Sequence, residues 1–222
     1  MIRLPRHLLP VLLALCGLML PGDVRSQEAP DPMGTMPPMG LGSLTQQQIS
    51  QTIANSQLTL RFQPLNERLL RLLAPDAYRA LSGLIASRSA AIDSVSRMSG
   101  AAQPGLMLIT VYGNVPDVRF DPTLIGVSVN ARRIDPVGII PLDANFSRQQ
   151  LAIRTVGMGL LVFSEELPVY SPMVFTYGSA ATEGWAGKIS TLDRELARVS
   201  ARARSQAAQG VPDSAQSPPS SP

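Results

Sequence analysis

The 222-residue chain has one cysteine, Cys16, and one histidine, His7, and both stand within its first sixteen residues. Their position matters because residues 1–26 carry the pattern of a secretory signal peptide. Arg3, Arg6 and His7 precede an apolar run over 8–20, then Pro21 and Gly22, and Val24-Arg25-Ser26 marks a cut before Gln27. The run is 13 residues long, short of the roughly 20 that a bilayer-spanning helix needs, and no later stretch is longer. An uncleaved signal, or a lipid on Cys16 in the context Leu13-Ala14-Leu15-Cys16, is the only route to membrane association this reading leaves open.

Removal of the signal takes away both Cys16 and His7, and several chemistries go with them. The expected mature chain has no disulfide, thiolate nucleophile, imidazole base, or His or Cys metal ligand. Serine triads with histidine, zinc hydrolases, His-ligated haem proteins and thiol oxidoreductases are excluded. Carboxylates, the single Lys188, hydroxyls and methionines remain.

Charge is also sparse, at 16% of residues. Cutting at Gln27 removes three of the 19 basic and one of the 16 acidic residues, so the formal charge falls from +3 to +1. The basic residues are scattered arginines apart from one group near the C-terminus, which argues against nucleic acid as a partner. The short signal and the arginine-dominated cations suit a bacterial periplasmic or secreted protein.

What is present sorts into segments. Residues 27–43, rich in Pro, Gly and Met, read as an unstructured leader. Residues 44–103 read as a helical region: a short polar helix over 44–55 and an extended piece at 58–62 lead into an amphipathic stripe. Leu65, Leu69, Leu72, Leu73, Leu81, Leu84, Ile85, Ile92 and Val95 form that stripe, with Pro75 at a first-turn position. Over 104–180 the pattern changes to short runs between turn residues, with strands expected at 106–112, 116–120, 124–130, 132–140, 151–156, 159–163 and 173–177. Residues 181–208 predict an amphipathic helix, and 209–222 a Pro/Ser-rich solvated tail. The expected fold is mainly β with flanking helices (α+β): a small antiparallel β-sandwich, immunoglobulin-like in broad architecture.

Candidate sites are few. Met33, Met36 and Met39 have the spacing of a weak Cu(I)-binding segment, since thioethers are soft ligands, but a low-complexity linker that happens to contain Met is the simpler explanation. Asp117, Asp121, Asp135, Asp143, Glu165 and Glu166 lie in or beside expected loops, where a pair of carboxylates would suit a carbohydrate hydrolase. Turn-forming use of Asp is the plainer explanation. Trp185, in the Gly-flanked stretch 182–188, and the seam Leu192, Leu196 and Val199 are candidate partner-binding residues, set against packing on the chain's own core. No cofactor is implied. The expectation is an exported, noncatalytic interaction module, an accessory or structural subunit of a cell-envelope assembly with a protein partner. A carboxylate-dependent hydrolase and a Cu(I) binder are its rivals.

Overall fold

The computed structural model describes residues 36–209. The expected signal peptide, Cys16, Met33 and the last thirteen residues lie outside them. Strand β1 (Gln51–Ala54) turns into β2 (Leu58–Pro64), followed by three helices, α1 (Glu67–Leu70), α2 (Pro75–Ser87) and α3 (Ser89–Ser99). Then come β3 (Gly105–Gly113), β4 (Val118–Arg119), β5 (Ile125–Val129), β6 (Arg132–Ile134) and β7 (Pro136–Pro141). Helix α4 (Ala144–Arg148) precedes β8 (Gln150–Leu151), β9 (Val156–Phe163), β10 (Val174–Tyr177) and β11 (Ala180–Thr182), and α5 (Ala186–Gln209) closes the described chain.

All pairings between these strands are antiparallel. They build a five-stranded sheet, β1-β2-β3-β9-β7, a four-stranded sheet, β11-β10-β5-β6, and the small pair β4-β8. The alternation of strand residues decides which face meets what. Phe62 pairs with Ile109 and Ile109 with Gly159, so Leu60, Phe62, Met107, Ile109, Leu161 and Phe163 share the inner face. There Phe62 meets Phe175 of the second sheet at 5.5 Å between ring centroids. Leu160 and Val162, fully buried, occupy the outer face. Helix α3 covers it, and Val95 comes so close to Gly138 that a Cβ there would stand 2.2 Å from a Val95 methyl carbon. The architecture is thus an antiparallel sandwich with helices packed on one sheet, the fold class expected from the sequence. This strand order does not establish the immunoglobulin-like likeness.

The sandwich recruits more chain than residues 104–180. The segment expected as a short helix over 44–55 is instead a turn followed by β1, whose Ile53 pairs with Leu60. The turn is closed locally, with Gln48 Oε1 accepting from the Thr45 backbone N–H at 2.8 Å, and tertiary contacts override the helix signal beyond it. The carbonyls of Gln47 and Gln48 accept from Lys188 Nζ of α5 at 3.4 and 3.0 Å. Burial and the neighbouring Arg61 pull the Lys188 ammonium below its usual pKa.

Residues 36–43, read as part of an unstructured leader, run as a strap tied to the core. Arg71 donates to Pro37 O at 3.1 Å and Arg202 to Leu41 O at 2.6 Å. The Ser43 backbone N–H and hydroxyl both donate to Glu195 Oε1, at 2.8 and 2.7 Å. The strand expected at 151–156 is mostly a turn, since only Gln150 and Leu151 pair as β8 and Ile153 is exposed. The single strand expected over 132–140 is two: the chain breaks at Asp135, leaving the second sheet as β6 and joining the first as β7.

Candidate functional site

A cleft of about 380 Å³ opens where four segments converge: the β2–α1 junction, α2, the loop entering β3, and the loop after β9. Its apolar lining includes Leu65 and Leu167, both nearly inaccessible, with the half-buried Ile85 and Leu106. Asn66, Glu67, Gln103 and Glu166 supply the polar part. Gly105 forms one wall, and nothing larger fits, because a Cβ would stand 2.3 Å from the Glu165 carbonyl oxygen.

Local sequence fixes the polar groups. Asn66 is the N-cap of α1, its side-chain oxygen accepting from the Leu69 backbone N–H at 3.2 Å, as Asn does at helix starts. This leaves its Nδ2 to donate to Glu166 Oε1. Glu67, in the first turn, suits the positive end of the helix. One of its oxygens, Oε1, accepts from Arg71 Nε at 2.7 Å, four residues on, and from the Tyr78 hydroxyl at 3.0 Å. Each carboxylate therefore has one oxygen engaged, and no hydrogen bond to Glu67 Oε2 or Glu166 Oε2 occurs among the described residues. The result is a pocket with an oily floor and two partly committed anions at its rim. Pockets that orient a ligand combine these features, an apolar lining with a few placed polar groups.

The other candidate carboxylates are occupied with holding turns. Asp121 caps a single turn of 3-10 helix over Pro122–Leu124, accepting from the Thr123 N–H at 2.9 Å and its hydroxyl at 2.6 Å. Those bonds hold its carboxyl below the usual range. Asp143 caps α4, accepting from the Phe146 N–H at 2.8 Å, and its second oxygen accepts from the Met158 N–H at 2.6 Å. Asp135 pairs with Arg133 at 2.6 Å and Glu165 with Arg132. Asp117 sits at a turn with φ of 53°. Of the six, only Glu166 lines the cleft. Glu67, which sequence reasoning passed over, joins it there. Its signal was faint: an acid directly after Asn at the start of a leucine-rich turn.

Trp185 and the α5 seam face inward. Trp185, Leu192 and Val199 are fully buried and Leu196 is half-buried against the same core. The Trp185 Nε1–H donates to Val169 O at 2.9 Å, and its ring meets Phe175 edge-on at 5.7 Å. These residues hold α5 to its own sandwich, the packing alternative weighed from sequence. Met36 and Met39 are exposed, with Met39 Sδ accepting from the Tyr78 hydroxyl at 3.2 Å. Met33, the third thioether of that segment, lies outside the described residues. No cluster of three or more His, Cys, Asp or Glu suited to a metal occurs among the described residues, and no described helix is long and apolar enough to cross a membrane.

Comparison with protein-family models, with curated proteins and with solved structures returns no match.

Proposed function

We propose that this protein is an exported, noncatalytic interaction module, an accessory subunit of an envelope assembly, that holds a basic side chain of its partner in the Glu67–Glu166 cleft. The observation that carries the reading is the pairing of an apolar floor with two rim carboxylates that each keep one free oxygen. A lysine or arginine side chain matches it, with a methylene stem that packs on Leu65 and Leu167 and a cationic head that meets the carboxylates. A hydrolase using the same two acids is the second reading, favoured by their sharing one cleft. In it Glu67, whose Oε1 accepts from Arg71 and Tyr78, would work through its other oxygen, and an acid oriented by two donors suits recognition of a cation better than proton transfer.

Capture of the tagged chain from its host's gently solubilised envelope tests the reading. A near-stoichiometric partner that disappears with Glu67→Gln plus Glu166→Gln is the expected outcome. A partner retained by that double variant would place the interface elsewhere.

A further inference from the structure

The four arginines of α5 differ in what they meet. Arg198 Nη1 lies 3.6 Å from Glu195 Oε2 and Arg202 Nη1 3.4 Å from Glu195 Oε1. Arg194 folds back on its own helix, donating to Ser190 O and Thr191 Oγ1, both at 3.2 Å. Arg204 makes one long contact, Nε to Ser200 O at 3.4 Å, and pairs with no carboxylate among the described residues. The helix around it is equally unengaged. Val199 is its last buried residue and Ala203 its last half-buried one, and residues 204–208 are exposed on every side. Short helical stretches draw most of their stability from packing, and here about a turn and a half projects with nothing among the described residues to pack on.

We propose that this projecting end docks on a second copy of the chain, with Arg204 of one copy entering the Glu67–Glu166 cleft of the next. The proposal rests on the cleft reading above and names the source of the basic side chain. Charge complementarity supports it: an arginine without a carboxylate partner on one surface, two carboxylates with spare oxygens on the other. The exposure of the helix end on all sides lets a neighbouring copy approach Arg204 without disturbing the core. Because the two surfaces differ, the contact is head-to-tail and leaves a donor helix and an open cleft at the ends, so copies add in rings or chains rather than stopping at a two-fold dimer. The contact is ionic and solvent-bordered, so salt weakens it.

Sedimentation of the exported chain over a range of concentrations, at low and high salt, reads the outcome directly. The expected result is concentration-dependent association that high salt suppresses. Arg204→Glu and Glu166→Arg should each weaken association by about tenfold or more, the scale of one charge-assisted pair, and the double variant should restore it. Arg194→Glu, on the same helix, should leave it unchanged. Circular dichroism establishes that these surface variants are folded. A chain monomeric at every concentration, association indifferent to Arg204→Glu, or single losses that the double variant does not repair would each overturn the proposal. Titration with an acetylated, amidated peptide carrying one arginine separates the two levels. If it binds a chain that stays monomeric, the self-docking is wrong and the cleft reading stands; if it does not bind, both fall.

Discussion

At single positions, the chain shows both strain and unmet hydrogen-bonding capacity. Asn130 and Ala131, with φ of 49° and 63°, form the two-residue turn between β5 and β6. Positive φ at both positions is what a hairpin turn of type I′ requires. Asn tolerates it, whereas a left-handed conformation costs an alanine roughly 1–2 kcal/mol. Ala131→Gly removes that cost at some expense in chain entropy, so the denaturation midpoint should rise by the equivalent of about 0.5–1 kcal/mol. With this alanine the turn lacks the usual Asn-Gly signal, and it was the strands expected at 124–130 and 132–140 on either side that made the hairpin legible. Tyr170 presents the opposite case, a buried hydroxyl with no partner, over whose ring the Arg68 guanidinium sits 5.6 Å away. Burial is the main cause that pushes the phenol up from 10.0 to about 12; Asp193 adds to the rise and Arg68 opposes it. The raised value means that folding favours the neutral phenol. Its contribution is complete below pH 10 and is lost as pH climbs from 10 through about 12. Tyr170→Phe should therefore flatten the alkaline fall in stability over that window. At neutral pH it should raise stability by about 1 kcal/mol, since a buried hydroxyl without a partner carries a desolvation cost that phenylalanine lacks. Denaturant midpoints measured across the pH series check both statements.

Among the elements, α5 and the strap over 36–43 depend on each other. Glu195 is 1% exposed, and its Oε1 takes two hydrogen bonds from Ser43 and one from Arg202. Glu195→Ala strands the Ser43 donors and removes the carboxylate that the solvent-exposed Arg198 and Arg202 meet, so it should cost about 2–3 kcal/mol. Glu195→Gln keeps an acceptor for Ser43 and should cost less. Chemical denaturation with an unchanged slope would show that the loss is one of stability. The helix itself was legible, because Leu192, Leu196 and Val199 recur at helical spacing. Its partner was not, because a leader rich in Pro and Gly carries no periodicity, and its anchoring comes from a glutamate more than 150 positions away. The same limit explains β1. Its polar sequence favours a turn or helix locally, and pairing with β2 decides otherwise. Helix α4 went unseen because Asp143, read as a loop acid, is a cap that also satisfies the Met158 N–H. Trp185 was singled out for standing outside any strand, and its burial against Phe175 with a satisfied indole N–H answers that question.

Across the whole molecule, the antiparallel sandwich was readable because period-two alternation records which strand face is buried, as in Ile125, Val127 and Val129, all buried in β5. Its extent was not, since β1 and β2 lie before the helices and complete the first sheet from the other side of the chain. The cleft was the least legible feature. Its walls come from residues near 66, 85, 104 and 166, and no local pattern ties those four stretches together. Glu166 could be named as a loop carboxylate, but its juxtaposition with Glu67 exists only once the fold brings α1 and the loop after β9 side by side. The central claim is that this cleft recognises a cationic side chain, and calorimetric titration with short blocked peptides tests it most directly. An arginine-bearing peptide should bind, its leucine counterpart should not, and Glu67→Gln and Glu166→Gln should each weaken binding, more so at low salt. Equal binding of both peptides, or arginine binding that survives removal of both carboxylates, would contradict the account.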